Sequence, residues 1–317
     1  MGDSEVGSIL KVVVAVAIPL AAFITGLRAA STDGRWLFKH PGLLVRSLVT
    51  ILVILPACTM LLLRLFDAPV ATMAGVTIAV ISIGIGPAAA FNKTRDKELS
   101  MPFEIGLNVV LLAVAIAFIP LFLSIHGAVF HHHVRLGYGQ VAKVVLTRAL
   151  IPLIIGIVAG RVFPRLVEPA TKYGGKLVAL SMLAVVAAAL AATWRVLLGL
   201  GAKTWLICAV VVALEIAVSH AAGGPAPETR RTLASFGAIR FPALALLLAS
   251  AAPRGREFIP VVLAYVIVSM AIVTLYGAAT SRRRKAPGLR PRASRSDHLR
   301  PEARGLTIDH ISSRARR

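Results

Sequence analysis

The sequence has little charge and little polar surface. Asp, Glu, Lys and Arg make up 15% of its 317 residues, whereas a soluble domain has roughly 25%. Hydrophobic residues reach 57%, which exceeds the roughly 45–50% of soluble domains even when glycine is counted. This composition excludes one or two soluble domains, and most of the chain is too apolar to be disordered. It therefore indicates a protein that lies within a membrane.

Cysteines are few, and the common nucleotide-binding and nucleophile motifs are absent. Cys58 and Cys208 both lie inside apolar runs and cannot form a disulfide framework. The sequence has no GxxxxGK(S/T) and no GxGxxG motif, so an ATP-driven pump is not supported. It has no GxSxG motif either, and we expect no enzyme activity and no cofactor. The run His131–His133 has no Cys, Asp or Glu close by, so we predict no metal site there.

Nine apolar segments follow one another along the chain. Each is close to the roughly 20 residues that a membrane-spanning helix needs, and their apolar runs are continuous rather than alternating, which disfavours a β-barrel. The connections are short, so we predict an all-α polytopic membrane protein whose transporter domain covers residues 1–280. The predicted spans are Val6–Ala29, Gly42–Phe66, Pro69–Phe91, Met101–Ile125, Val141–Phe163, Lys176–Leu200, Thr204–Ala222, Thr229–Ala252 and Phe258–Ala279.

Lys and Arg are distributed unevenly between the two sides of these spans. If the C-terminal tail is cytoplasmic, the cytoplasmic loops hold 12 Lys and Arg besides the tail, and the opposite loops hold 6. Positively charged loops stay in the cytoplasm, so we predict an inner or plasma membrane protein with an outside N-terminus and a cytoplasmic C-terminus. Asp3 and Glu5 precede the first cation, Lys11, so no cleavable signal peptide is expected.

Residues 281–317 differ from the rest of the chain. Arg282–Arg317 holds 12 Lys and Arg and 3 Asp and Glu, a net charge of +9. High net charge with few apolar residues predicts a disordered basic tail. The cluster Arg282–Lys285 directly follows the last span and should attract anionic lipid by about 1 kcal/mol per charge. No aromatic residue lies between the cations, so we do not expect nucleic-acid binding.

The third and eighth segments each carry a glycine and a proline within the span. Gly86 and Pro87 lie in the third, and Gly237 and Pro242 lie in the eighth. Proline removes a backbone donor and frees a carbonyl one turn earlier, and within lipid such breaks occur where backbone lines a cavity. The segments are five spans apart, so they have opposite orientations, as in inverted-repeat transporters. Both are either simple kinks or the two halves of one binding site.

Short motifs along the chain resemble those of the bile acid:sodium symporter family. The resemblance covers about residues 26–279, although each motif is degenerate. It implies two discontinuous helices that cross in a core domain beside a panel domain. This is an Na+/H+ antiporter-like fold, with inverted repeats at about residues 6–125 and 141–279. Members of the family often have ten spans, and the nine predicted here resemble members that lack the first span. The motifs are Leu37–Gly42, Leu55–Ala57, Pro87–Lys93, Lys97–Ser100, Ile119–Pro120 and Arg231–Gly237.

Most positions that match the family's sodium ligands carry a different residue type. Ser100 is kept. Sodium needs oxygen ligands, and Lys and Arg bring positive charge with no acceptor, so the resemblance does not carry sodium coupling over to this chain. The other ligand positions hold Asn92, Lys93, Glu104, Ser235 and Ile239, and the position beside the last of them holds Arg240.

Five ionisable residues fall inside the predicted spans, where each costs roughly 2.5–3.5 kcal/mol at the middle. Arg240 is the predicted partner of Glu215, either as a permanent ion pair that joins two helices or as the anchor of a bound anion. His220 lies near a loop and is interpreted as structural. The five residues are Glu104, Arg148, Glu215, His220 and Arg240.

These observations predict a secondary-active, symporter-like transporter of a small organic anion that works without sodium. Arg240 and Lys93 would attract a carboxylate or sulfonate. Two alternatives stay open: a proton-coupled exchanger in which Glu104 or Glu215 carries the proton, and a non-transporting membrane receptor or regulatory protein. The predicted substrate- or ion-binding residues are Asn92, Lys93, Ser100, Glu104, Ser235, Arg240 and Glu215.

Overall fold

A computed structural model of the chain describes residues 3–31, 36–83, 100–130, 138–252 and 254–285. All regular structure among these residues is helical. Contacts divide the chain into two units, Met1–Tyr276 and Gly277–Arg317. Several predicted features lie outside the described residues: Gly86, Pro87, Asn92, Lys93, the histidines at 131–133 and the tail after Lys285.

The helices are numbered here α1 to α10 in chain order. α2 and α5 each contain one wider π-helical turn, at Thr50–Ile54 and Leu146–Leu150. Pro56 and Pro152 follow these turns. A proline ring clashes with the carbonyl four residues earlier, and the wider turn accommodates that clash. The helices are α1 Asp3–Ser31, α2 Pro41–Leu65, α3 Val70–Ile81, α4 Met101–Phe130, α5 over residues 138–162, α6 Pro164–Leu198, α7 Ala202–Ala222, α8 Pro227–Ala238, α9 Pro242–Ala251 and α10 Gly255–Lys285.

Six helical segments among the described residues are long and apolar enough to cross a membrane. They are α2, α4, α6, α7, the α8–α9 pair over Pro227–Ala251, and α10 over Gly255–Thr280. Two shorter apolar stretches, Ala15–Ala30 in α1 and Val70–Ile81, accompany them. The described part of the chain is therefore all-helical, as in a polytopic membrane protein.

The end of α10 lies later than the sequence predicts. The apolar run ends near Ala279, and we expected disorder from residue 281, whereas the helix continues to Lys285. Arg and Lys are good helix formers, so the helix extends past the apolar run into the basic cluster. Arg282–Lys285 therefore lies on a helix.

Helix α1 packs closely against α5 and α6, and glycine permits this approach. A Cβ atom at Gly26 would lie 2.2 Å from the carbonyl oxygen of Leu153 on α5. A Cβ atom at Gly156 would lie 2.2 Å from the carbonyl oxygen of Phe23 on α1. Gly156 and Gly160 form a GxxxG motif, which lets helices in lipid reach backbone contact. The contact between α1 and α5 therefore depends on the absence of side chains.

Several helices contact the two segments that flank the break between α8 and α9. Helices α7 and α4 contact α8, and α9 contacts α1, α3 and α6. The α8–α9 segment is strongly enclosed, since 89% of its most apolar stretch is buried by protein, compared with 22% for α6. A helix break at this place is shielded from lipid, as the loss of backbone hydrogen bonds requires.

Candidate functional site

The break between α8 and α9 occurs where the sequence predicts it. α8 ends at Ala238, directly after Gly237, and α9 begins at Pro242. Between them Ile239 (φ −86°, ψ 109°) and Phe241 (φ −84°, ψ 99°) have extended backbone. The residue before a proline is driven out of the helical region by the proline ring, which explains the conformation of Phe241. Proline also suits the first turn of the new helix, where no N–H bond is lost.

The backbone groups that this break frees find partners on two other elements. The N–H of Phe241 donates to the carbonyl oxygen of Ser82, directly after α3, at 3.3 Å. The hydroxyl of Ser269 on α10 donates to the carbonyl oxygen of Ala238. The third and eighth predicted segments therefore meet here, and α10 packs on their meeting point. The rest of the third segment's predicted break, at Gly86 and Pro87, lies outside the described residues.

A buried ion pair lies at this meeting point. Arg240 in the extended segment is 4% exposed, and Glu215 on α7 is 1% exposed. One Nη atom of Arg240 lies 2.7 Å from Oε1 of Glu215, which confirms the predicted pairing. The hydroxyl of Tyr265 on α10 donates to Oε2 of the same carboxylate. We call these three residues the Arg240 triad; it joins α7, the break and α10.

The triad keeps a fixed cation where few charges are tolerated. An isolated buried charge is strongly disfavoured, and a paired, hydrogen-bonded charge is tolerated. Among the described residues, the Nε of Arg240 has no hydrogen-bond partner, and neither does the hydroxyl of Ser219 or of Thr77, both of which are buried. Buried polar groups are normally bonded, and two of these three atoms, on Arg240 and Ser219, lie at the break.

Gly237 sets α7 against the break. A Cβ atom at Gly237 would lie 2.0 Å from the Oγ of Ser219 and 3.2 Å from the carbonyl oxygen of Glu215. Ser219 and Glu215 are four residues apart and lie on one face of α7. The absence of a side chain at Gly237 therefore brings the carboxylate and the hydroxyl to the break.

The predicted residues on α4 and α8 lie on neighbouring surfaces. The N–H of Ser100 donates to the hydroxyl oxygen of Thr232 on α8 at 3.0 Å. Glu104, one turn further along α4, is buried, and so are Asn108 and, on α8, Ser235. Ser100, directly before α4, and Glu104 and Asn108 on α4 recur every four residues, so they form one polar stripe. This stripe continues the polar surface from α8, while Asn92 and Lys93 lie outside the described residues.

Two other ionisable residues form contacts of a structural kind. Nδ1 of His220 lies 2.6 Å from the hydroxyl of Tyr276 on α10, in keeping with its predicted structural role. Arg148, in the π turn of α5, donates to the carbonyl oxygen of Ala15 on α1 at 3.2 Å. Neither residue contributes to the Arg240 triad.

Tyr265, Ser219 and Ser269 are site residues that the sequence interpretation missed. Tyr265 had a signal, because tyrosine in membrane helices concentrates at the interfaces, whereas Tyr265 lies in the middle of the last apolar run. No feature of the sequence marked Ser219 or Ser269 as site residues, since a serine in an apolar span commonly bonds to its own helix. Their importance depends on which face of each helix meets the break.

A comparison with known protein families finds a match within the first two thirds of the chain. The model described as "Sodium Bile acid symporter family" matches residues 15–200, more than half of the chain, from α1 to the end of α6. The match stops before Glu215, Arg240 and Tyr265, so it covers none of the Arg240 triad. No curated protein matches the chain.

Proposed function

Since the chain belongs to the sodium bile acid symporter family, whose members are membrane transporters, we propose that it carries a small organic anion by secondary-active transport without sodium. The observation that carries this proposal is the buried guanidinium of Arg240 in the extended segment between α8 and α9. Family membership supports the transport class, and the chemistry of the break supports the substrate class.

Arg240 suits an anion with a planar or tetrahedral oxygen group. Its guanidinium can donate two parallel hydrogen bonds to a carboxylate or a sulfonate, which a lysine ammonium cannot do. α9 begins two residues later, at Pro242, and the N-terminal end of a helix carries partial positive charge. Ser219 and the Nε of Arg240 offer donors that no described residue takes up. In this proposal Asn92, Lys93, Ser100, Glu104 and Ser235 contribute to the same site.

Sodium independence follows from the residues at the break. Ile239 occupies a position where the family pattern has an oxygen ligand, and its side chain has no acceptor. Arg240 beside it brings a permanent positive charge and no acceptor for a cation. We propose that this tethered charge takes the electrostatic part that bound sodium plays in the family.

The proposal includes an arrangement of moving parts. Helices α1, α5 and α6 form the panel, and α2–α4 with α7–α10 form the core, in nine spans with inverted repeats. The glycine contact between α1 and α5 and the bond between Phe241 and Ser82 support this division. The N-terminus is outside, and the cytoplasmic C-terminus carries the basic tail that attracts anionic lipid. Reporter fusions at Asp3 and Arg292 should report opposite sides; signals from the same side would contradict the arrangement.

Transport is tested with purified protein in proteoliposomes. Uptake of labelled acetate, benzoate, methanesulfonate and taurocholate is measured in sodium buffer and in choline buffer. We expect uptake of at least one anion at the same rate in both buffers. A strong sodium requirement would contradict sodium independence, and binding without uptake would favour the receptor alternative. Arg254→Gln is the matched control for Arg240→Gln, because Arg254 also pairs with a glutamate, Glu257, but both of these residues are exposed.

A further inference from the structure

We infer that Glu215 is the proton carrier of this transporter, and that each monovalent anion bound by Arg240 is accompanied by one proton bound by Glu215. This inference rests on the proposed function and names its coupling ion. The guanidinium that would anchor the anion is already paired with Oε1 of Glu215, at 2.7 Å. An anion that engages this face of Arg240 competes with a buried carboxylate.

The charge count of the site sets the requirement for a proton. Without substrate, Arg240 and Glu215 carry +1 and −1, and their sum is zero. The other charged residues of the proposed site, Lys93 and Glu104, have opposite signs and leave this sum unchanged. When a monovalent anion pairs with Arg240, the sum becomes −1. One proton on Glu215 returns the sum to zero. Because an uncompensated buried charge is strongly disfavoured, such a group takes up or releases a proton instead.

Tyr265 fits both states of the carboxyl group. Its hydroxyl now donates to Oε2 of Glu215. A phenolic hydroxyl can both donate and accept, so it can keep donating to the carboxylate or accept a hydrogen bond from the protonated acid. A proton that binds at Oε1, the oxygen that the anion displaces from Arg240, leaves the hydrogen bond from Tyr265 to Oε2 in place.

The groups around Glu215 leave Glu215 itself as the group that takes up a proton when the anion binds. Helix α3 carries no charged residue over Val70–Ile81, and α10 contributes Tyr265. His220, one turn further along α7, is bonded to Tyr276. The charged residues of α2 and of the first turns of α8 are exposed, except Arg231, which is half-buried at the far end of α8; they are Arg46, Arg64, Glu228, Arg230 and Arg231.

Coupling to a proton determines which gradient drives transport of the anion. Because the anion and the proton cross together, transport of a monovalent anion carries no net charge. A pH gradient should therefore drive accumulation of the anion, and the membrane potential should not.

The first experiment needs no substrate. Infrared spectra of the purified protein are compared in the region of the carboxylic-acid carbonyl stretch. Arg240→Gln removes the partner of Glu215, so we expect one added band from a protonated carboxyl group. This band should be absent from the wild type, from Arg240→Gln/Glu215→Gln and from Arg254→Gln, in which the exposed Glu257 loses its partner. A folded Arg240→Gln protein without the added band would overturn the inference.

The second experiment uses the wild-type protein and does not depend on whether Arg240→Gln folds. Choline salts of acetate, benzoate, methanesulfonate and taurocholate are added to weakly buffered protein at matched pH, while bound anion and released or absorbed protons are measured together. We expect one proton taken up per anion bound, and in Glu215→Gln tighter anion binding with no proton uptake. Anion binding without proton uptake in the wild type would overturn the inference and leave the proposed function standing. Absence of binding by all four anions would overturn the proposed function and the inference with it.

Discussion

Helices α1 and α5 meet at Gly26 and Gly156, whereas α7 and the α8–α9 break meet at Glu215 and Arg240. At the first contact two backbones touch, and there is no side chain to move. At the second, two charged side chains and Tyr265 fill the space between elements. The first contact leaves no room for a side chain to rearrange. In our proposal, the second exchanges one anionic partner of Arg240 for another.

This difference matches what a transporter needs from its parts. A body that moves as a unit requires contacts that do not rearrange, and close glycine packing provides them in lipid. A binding site requires polar groups that are costly in the membrane and persist for function. The variants below separate the two kinds of contact, because a variant of the first should act through folding alone.

The largest effect is expected from Gly156→Leu. A Cβ atom at this position would already lie 2.2 Å from the carbonyl oxygen of Phe23, so α1 and α5 must separate. We expect a loss of stability beyond about 5 kcal/mol, at the extreme of single substitutions, and therefore no folded protein in detergent. Size-exclusion chromatography and thermal melting would measure this.

Gly139→Ala is the matched control on the same helix. A Cβ atom at Gly139 meets nothing within 4 Å, and alanine favours a helix by about 1 kcal/mol over glycine. A melting temperature equal to or above that of the wild type is expected. If Gly156→Leu were as stable as this control, the close packing of α1 and α5 would be wrong.

The next effect is expected from Arg240→Gln. It leaves the buried carboxylate of Glu215 without its cation, which typically destabilises by about 3–5 kcal/mol. The double variant Arg240→Gln/Glu215→Gln has no buried charge, so it should regain most of this stability. Chemical unfolding of the two single variants and the double variant gives the coupling energy; additive effects would contradict the ion pair.

A smaller effect is expected from Tyr265→Phe. The change removes one hydrogen bond to the carboxylate of Glu215 and leaves the ring in place. Hydrogen bonds to charged groups contribute about 1.5–3 kcal/mol, so the melting temperature should fall by less than in Arg240→Gln. In the Glu215→Gln background the same change should have a smaller effect, and an equal effect there would show that Tyr265 acts independently of the charge.

The sequence predicts the features that depend on local chemistry. Pro242 cannot continue a helix from the preceding turn, so the break after Gly237 can be predicted from the sequence. Arg240 and Glu215 could be paired because a buried charge needs a partner, and Arg240 lies deep in the span that follows Glu215, whereas Arg230 and Arg231 lie at the start of that span. These are strong physical requirements, and few residues can satisfy them.

Features that depend on how helices are rotated against each other could not be predicted. The GxxxG motif at Gly156 and Gly160 is visible in the sequence, but its partner Gly26 lies more than a hundred residues earlier. Helix α3 ends at Ile81, where Ser82 bonds back to Ile78 at 2.6 Å, and the predicted break at Gly86 and Pro87 lies outside the described residues. Ser219 and Ser269 could not be identified as site residues, because their place in the site depends on which faces of α7 and α10 meet the break.

The central claim is that Arg240 anchors the transported anion rather than only joining two helices. The most direct test is equilibrium binding of acetate, benzoate, methanesulfonate and taurocholate to the folded Arg240→Gln/Glu215→Gln variant, with the wild type measured alongside. This variant lacks the cation and has no stranded carboxylate, so folding and binding are separated. We expect a melting temperature close to that of the wild type and loss of anion binding. Wild-type affinity for the anion in this stable variant would contradict the claim.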